Sequence, residues 1–166
     1  MPEQPGTRYD QLEASLLAMA REAGDGVRAV LVVTAHWETP EFTLSSAEQP
    51  GMLYDYYGFP PHTYQIHYRA PGSPALAQRV QGLLKAGGVA AQLDPERGFD
   101  HGTFSVMQAT YPEARLPVVQ LSLRADLDPA AHLAAGRLTP ASAENFNTGL
   151  PLPIAAIRAP SALTAK

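Results

Sequence analysis

Arg28 to Thr34 (RAVLVVT) narrows the choice of fold more than any other segment. It is short, rich in β-branched residues and has no polar residue between Ala29 and Val33. A strand with that pattern has no face to give to water and must be covered on both sides, as in the middle of a parallel sheet. Gly24 and Gly26 precede it, and Ala35-His36-Trp37-Glu38 follow at its C-terminal end.

The flanking sequence supplies the cover. Leu12, Leu16, Leu17 and Ala20 recur at helical spacing while Glu13, Arg21 and Glu22 face away, which predicts an amphipathic helix over Tyr9–Ala23. Ser73 and Pro74 form an N-cap and first-turn pair ahead of a helix over Ala75–Lys85, with Leu76, Val80, Leu83 and Leu84 on one face. Gly87-Gly88 closes it. Asp128-Pro129 opens a further helix over Ala130–Gly136 in the same way. Strands are predicted over Phe42–Leu44, Tyr64–Tyr68, Val89–Leu93 and Leu116–Leu123. Gln49–Pro61 (QPGMLYDYYGFPP) reads as an ordered loop and Asp94–Thr110 as a polar one. Strands alternating with helices predict an α/β domain, its mainly parallel central sheet carrying helices on both faces.

After Arg137 the pattern breaks. Leu138–Lys166 has no steady period and carries prolines at 140, 151, 153 and 160, so an irregular tail is expected there. The reading is of one α/β domain over 1–137 and a divergent segment over 138–166.

Composition excludes several functions. The 166 residues suffice for one core. A net charge of -4 gives no electrostatic basis for nucleic acid or an anionic membrane as partner. The longest apolar run, Ala29–Val33, is far short of a membrane span, and no signal-peptide pattern opens the sequence, so the expected compartment is the cytoplasm. With no cysteine, any metal must rest on carboxylates and on the five histidines, His36, His62, His67, His101 and His132.

His36 stands at the carboxyl end of the strongest strand, where open α/β sheets bind ligands, and is a candidate metal ligand or general base. The plainer alternative is a buried, hydrogen-bonded histidine that ends the strand. His101, between Asp100 and Gly102, suits proton transfer if the neighbouring carboxylate holds its ring. An ordinary Asp-X-Gly turn is the alternative. His62 can line a pocket with Tyr56 and Tyr57, although tyrosines on a proline-rich loop also serve as packing anchors. His67 and His132 read as surface or packing residues. There is no phosphate-binding glycine loop, nucleophile elbow or His-Glu-X-X-His pair.

Five segments together resemble one family. Val30–Thr39 (VLVVTAHWET), Tyr54–Tyr64 (YDYYGFPPHTY), Tyr68–Ala77 (YRAPGSPALA), Arg97–Gly102 (RGFDHG) and Pro117–Ser122 (PVVQLS) are similar, in this order, to class III extradiol ring-cleavage dioxygenases of the LigB type. The similarity is closest to the branch that includes the DOPA dioxygenases and runs from about Tyr9 to Arg137. It implies cleavage of a catechol-like diol with O2 at a non-haem Fe(II), or Zn(II) in some members. It also implies His36 as a metal ligand and His101 as the acid/base; Tyr57 and His62, from their place in the aromatic loop, are the expected substrate contacts.

The resemblance further implies segments not found here. Members of the family open with a strand and a His-Gly motif, and continue past the position of Arg137 to another histidine ligand. Met1–Thr7 and Leu138–Lys166 contain no histidine. The expectation is therefore an incomplete domain, read as a shifted frame or replaced C-terminus after Arg137. It would bind metal weakly, with Glu38 as the candidate helper to His36, and have low activity unless subunits of a homo-oligomer complete one another. Two other readings stand beside an active dioxygenase: a non-catalytic remnant or partner-binding module, and a metal-dependent hydrolase or other non-redox relative on the same scaffold.

Overall fold

β1, Ala29–Thr39, has a strand on either side of it in a sheet of order β3-β2-β4-β1-β5. The computed structural model describes residues 10–139 and, for the backbone alone, 154–158. In chain order the elements are α1 Asp10–Ala23, β1, β2 Phe42–Ser45, a 3₁₀ turn Pro61–Gln65, α2 Pro74–Ala86, β3 Ala91–Asp94, α3 His101–Thr110, β4 Val118–Arg124, α4 Pro129–Leu138 and β5 Ile154–Arg158. β1 runs parallel to β4 (Val30↔Val118) and to β5 (Ala29↔Ile154), and β2 runs parallel to β3. Among the described residues only the β2–β4 pairing, through Leu44↔Leu121, is antiparallel. No helix among the described residues is long and apolar enough to cross a membrane.

The double-sided burial expected of β1 follows from its period of two. Ala29, Leu31 and Val33 face one core with Leu76, Ala77, Val80 and Leu84 of α2 and Ala135 of α4. Val30 and Val32 face a second core with Phe104, Val106 and Met107 of α3 and Leu16 of α1. Leu31, Val32, Val80 and Leu84 have no exposed surface. Each such side chain contributes about 1.5–3 kcal/mol by leaving water. Helices therefore lie on both faces of a mainly parallel sheet.

The capping signals also act as read. Ser73 Oγ accepts from the Leu76 N–H at 3.2 Å, and Asp128 Oδ1 accepts from the Ala130 N–H at 3.0 Å. α2 ends where the Gly87 N–H reaches the Leu83 carbonyl, followed by Gly88 at φ +79°.

Four expectations need correction. Tyr64–Tyr68 is no strand. The Pro60-Pro61 pair starts the 3₁₀ turn, and side chains take the next backbone groups: Tyr54 Oη donates to the Ile66 carbonyl and the Tyr68 N–H to Met52 Sδ. The second half of the polar loop, His101–Thr110, is α3. Six of its ten residues are buried, so it lacks the one-sided stripe by which helices are found. α1 forms, but Leu12 and Leu17 remain 42% and 38% exposed, and only Leu16 packs against a core. The segment expected to be irregular contains β5, whose IAAIR run is too short and alanine-rich to announce a strand, yet it pairs with the second edge of β1. Leu138 completes α4 with Thr139 as its C-cap, and residues 140–153 and 159–166 lie outside the described residues.

Candidate active site

The register of β1 on β4 shifts between Val33 and Glu38, whose partners are Leu121 and Leu123. Five steps along β1 thus oppose two along β4, so Thr34–Trp37 bulges from the ladder. Bulges re-aim side chains, and His36 is the one re-aimed here. Its N–H donates to Thr34 Oγ1 at 3.2 Å.

Beneath it lies a buried polar network. Asp100 has no exposed surface. Its carboxylate accepts from Thr34 Oγ1 (3.1 and 3.0 Å), from Arg97 Nη2 (2.9 Å) and from the Thr103 N–H (2.9 Å). The last of these bonds is the N-cap of α3. The Asp100 N–H donates to Gln120 Oε1 at 3.2 Å, and the same oxygen accepts from Thr103 Oγ1 at 2.7 Å. Arg97 also reaches the His36 carbonyl at 3.4 Å and stacks over Trp37, 4.6 Å from the ring centre. A buried carboxylate is costly unless its oxygens are satisfied, and these are. The network ties the bulge of β1 to β4 and to the first turn of α3.

His101 is the first residue of α3, which puts its ring beside that of His36: the ring centres are 3.9 Å apart at 54°. The approach needs a glycine. A Cβ on Gly102 would fall 2.4 Å from His36 Cδ2 and 3.0 Å from Thr34 Oγ1.

The aromatic loop brings the third member. Backbone bonds Leu53 N–H to Phe99 O and Phe99 N–H to Gly51 O, each 2.8 Å, lay the loop along the segment that enters α3. Tyr56 Oη is anchored on the Thr63 carbonyl at 2.6 Å, with its ring edge-on to His101 at 5.3 Å. Asp55 then projects between the histidines. Its Oδ1 lies 2.8 Å from His101 Nδ1 and accepts from the His101 N–H at 2.9 Å, while Oδ2 stands 3.5 Å from His36 Nδ1. Burial by itself pushes the Asp55 carboxyl up. The hydrogen bonds from the His101 N–H and ring, with the charge of that ring, outweigh it and hold the carboxyl below its ordinary value.

One ligand atom each from His36, Asp55 and His101 lies within 4.8 Å of the others, a possible His/Asp/His metal site. Two imidazoles and a carboxylate fit a non-haem divalent ion, and no thiolate is needed.

His36 and His101, singled out from sequence, are thus brought together. Tyr57 is 91% exposed and His62 is exposed as well, and among the described residues no hydrogen bond, ion pair or ring stacking joins either to His36, Asp55 or His101. Tyr56, one residue earlier, is the tyrosine against His101. Glu38, considered as a helper to His36, is exposed and outside the cluster. Asp100 does not hold the His101 ring, because capping α3 turns its carboxylate into the core; Asp55 holds it instead. His132 packs, accepting the Arg124 N–H at Nε2 (3.1 Å) and meeting Phe42 edge-on. Sequence reasoning missed Asp55, 46 residues from His101. No spacing rule reaches that far, and the one available signal was a carboxylate inside the aromatic loop.

A family model described as the catalytic LigB subunit of aromatic ring-opening dioxygenase matches residues 3–137. The chain is 46% identical over 121 residues to the dioxygenase tasH of Hapsidospora irregularis, covering 72% of this chain and 37% of that protein. It is 46% identical over 111 residues to the 4,5-DOPA dioxygenase extradiol of Portulaca grandiflora, covering 66% and 41%. The protein of that name from Escherichia coli K12 is 44% identical over 111 residues, covering 66% and 40%. The crystal structure of an uncharacterized protein from Escherichia coli K12 superposes with a TM-score of 0.63 at 34% identity, covering 87% of this chain and 51% of that one. The chain therefore spans about two fifths of the length of the curated relatives it matches. Those relatives are all named as dioxygenases, none as a hydrolase.

Proposed function

This chain belongs to the LigB family of catalytic subunits of aromatic ring-opening dioxygenases, and on that footing we propose that it carries part or all of a site for extradiol cleavage of a catechol-like diol. The observation that supports this reading is the convergence of His36, Asp55 and His101 at the end of β1. In the proposed reaction the carbon–carbon bond beside the diol breaks and both atoms of O2 enter the ring-opened product, so no external reductant is consumed.

A bound Fe(II) or Zn(II) would act as a Lewis acid on the diol hydroxyls, and Fe(II) in addition suits O2 chemistry. His36 is the proposed metal ligand, its ring aimed by the bulge and backed by Gly102. His101 is the proposed acid/base. Its Nδ1 is taken by Asp55, so the proton it moves is at Nε2, and the side chain is 34% exposed and open to a substrate. Tyr57 and His62 are proposed to contact the aromatic substrate. In support, both belong to the same exposed aromatic stretch, and Tyr57 follows directly on the loop that places Asp55 and Tyr56. A cytoplasmic location and a homo-oligomer in which subunits complete one another belong to the same proposal, to be decided by fractionation and by size-exclusion chromatography.

The test is oxygen uptake by the Fe(II)-loaded protein with a catechol. Uptake matched by a yellow ring-opened product, and its loss in His101→Ala, supports the reading. No uptake with iron bound would leave a metal-binding relative of another chemistry.

A further inference from the structure

The Asp55 side chain is only 19% exposed, and it sits where two imidazoles meet. Oδ1 accepts the His101 backbone N–H at 2.9 Å and lies 2.8 Å from the Nδ1 of the same residue. Both distances are those of direct hydrogen bonds, whereas the 3.5 Å from Oδ2 to His36 Nδ1 is not. A carboxylate at neutral pH has no hydrogen to give, so the hydrogen in the short contact must belong to the ring. In a neutral imidazole only one nitrogen carries a hydrogen, and the hydrogen bond made by one nitrogen settles the state of the other. Among the described residues no hydrogen bond reaches His101 Nε2. The backbone bond matters as much as the ring bond. It fixes Oδ1 at the start of α3, where one of the free helix N–H groups is satisfied, and so keeps the carboxylate within reach of the ring Nδ1.

We infer that Asp55 is a positioning residue. It locks His101 in the Nδ1–H tautomer and leaves a bare Nε2 facing the reacting groups, rather than itself ligating a metal. A carboxylate in short contact with an imidazole Nδ1 fixes the tautomer and orientation of the ring, as it does behind metal-bound histidines. The inference rests on His101 as the proton-moving group, yet its test is separable from the ring-cleavage reading.

Long-range proton–nitrogen correlation spectra of the nitrogen-15-labelled, metal-free full chain, taken above the imidazole titration range, report the tautomer directly. The expected result is a protonated Nδ1 and a bare Nε2 on His101, with Asp55→Ala shifting the ring toward the Nε2–H form. A wild-type ring with hydrogen on Nε2, or an Asp55→Ala ring unchanged from wild type, would overturn the inference. The wild-type spectrum decides even if the variant folds poorly. Zinc titration adds a second arm: Asp55→Ala binding zinc within about 10-fold of the wild type agrees with a residue that acts through His101, and a larger loss in a folded variant ties Asp55 to the metal itself and contradicts it. Absence of oxygen uptake with the tautomer as expected counts against ring cleavage alone.

Discussion

Gly102 and His36 are in a contact that admits no side chain: a Cβ built on the glycine would stand 2.4 Å from His36 Cδ2. The first turn of α3 and the bulge of β1 are set against each other there, and the spacing of the two histidines depends on it.

Gly102→Ala should therefore move the His36 ring or push α3 outward. Overpacking of this kind costs typically about 1–3 kcal/mol. Urea unfolding should show a lower midpoint with an unchanged slope, and metal affinity should fall further than stability alone explains. A variant with wild-type midpoint and affinity would mean that the site is loosely packed.

Asp100→Ala removes the cap of α3, takes the acceptor from the Thr34 hydroxyl and leaves the Arg97 guanidinium only its long bond to the His36 carbonyl. Removing one partner of a buried pair costs about 3–5 kcal/mol. A large drop in the urea midpoint is expected. Thr34→Val, which keeps the shape and loses only the hydroxyl, should cost less, about 1–3 kcal/mol.

Tyr68 links stability to alkaline pH. Burial, followed by the nearby Tyr111, pushes its hydroxyl from the ordinary 10.0 up to about 12, and it donates to the Tyr111 carbonyl at 2.9 Å. The folded state thus holds this proton where the unfolded chain releases it. The contribution is complete below pH 10 and is lost as pH rises from there through about 12. Tyr68→Phe should flatten that part of the stability profile, read by urea unfolding at successive pH values.

The sequence made the sheet legible because RAVLVVT has no polar face to give to water. It also made α2 and α4 legible, since Ser73-Pro74 and Asp128-Pro129 mark helix starts with local chemistry. α3 stayed hidden because it is buried around much of its circumference, which erases the period. His36 and His101 could be named from their motifs, but not their 3.9 Å approach, which depends on a bulge and a glycine contact. Asp55 could not be found at all from spacing. Its place follows from backbone bonds between Gly51, Leu53 and Phe99 that only the folded chain contains.

His36, on the bulge of β1, is the proposed metal ligand beside His101, the proposed acid/base. Anaerobic Fe(II) titration of the purified chain, beside His36→Ala with an intact unfolding transition, tests it most directly. Saturable iron binding is expected in the wild type, and the variant should lose it by a factor of about 100 or more, above the range for losing an outer partner. Equal iron binding by the two proteins, or none by the wild type, would contradict it.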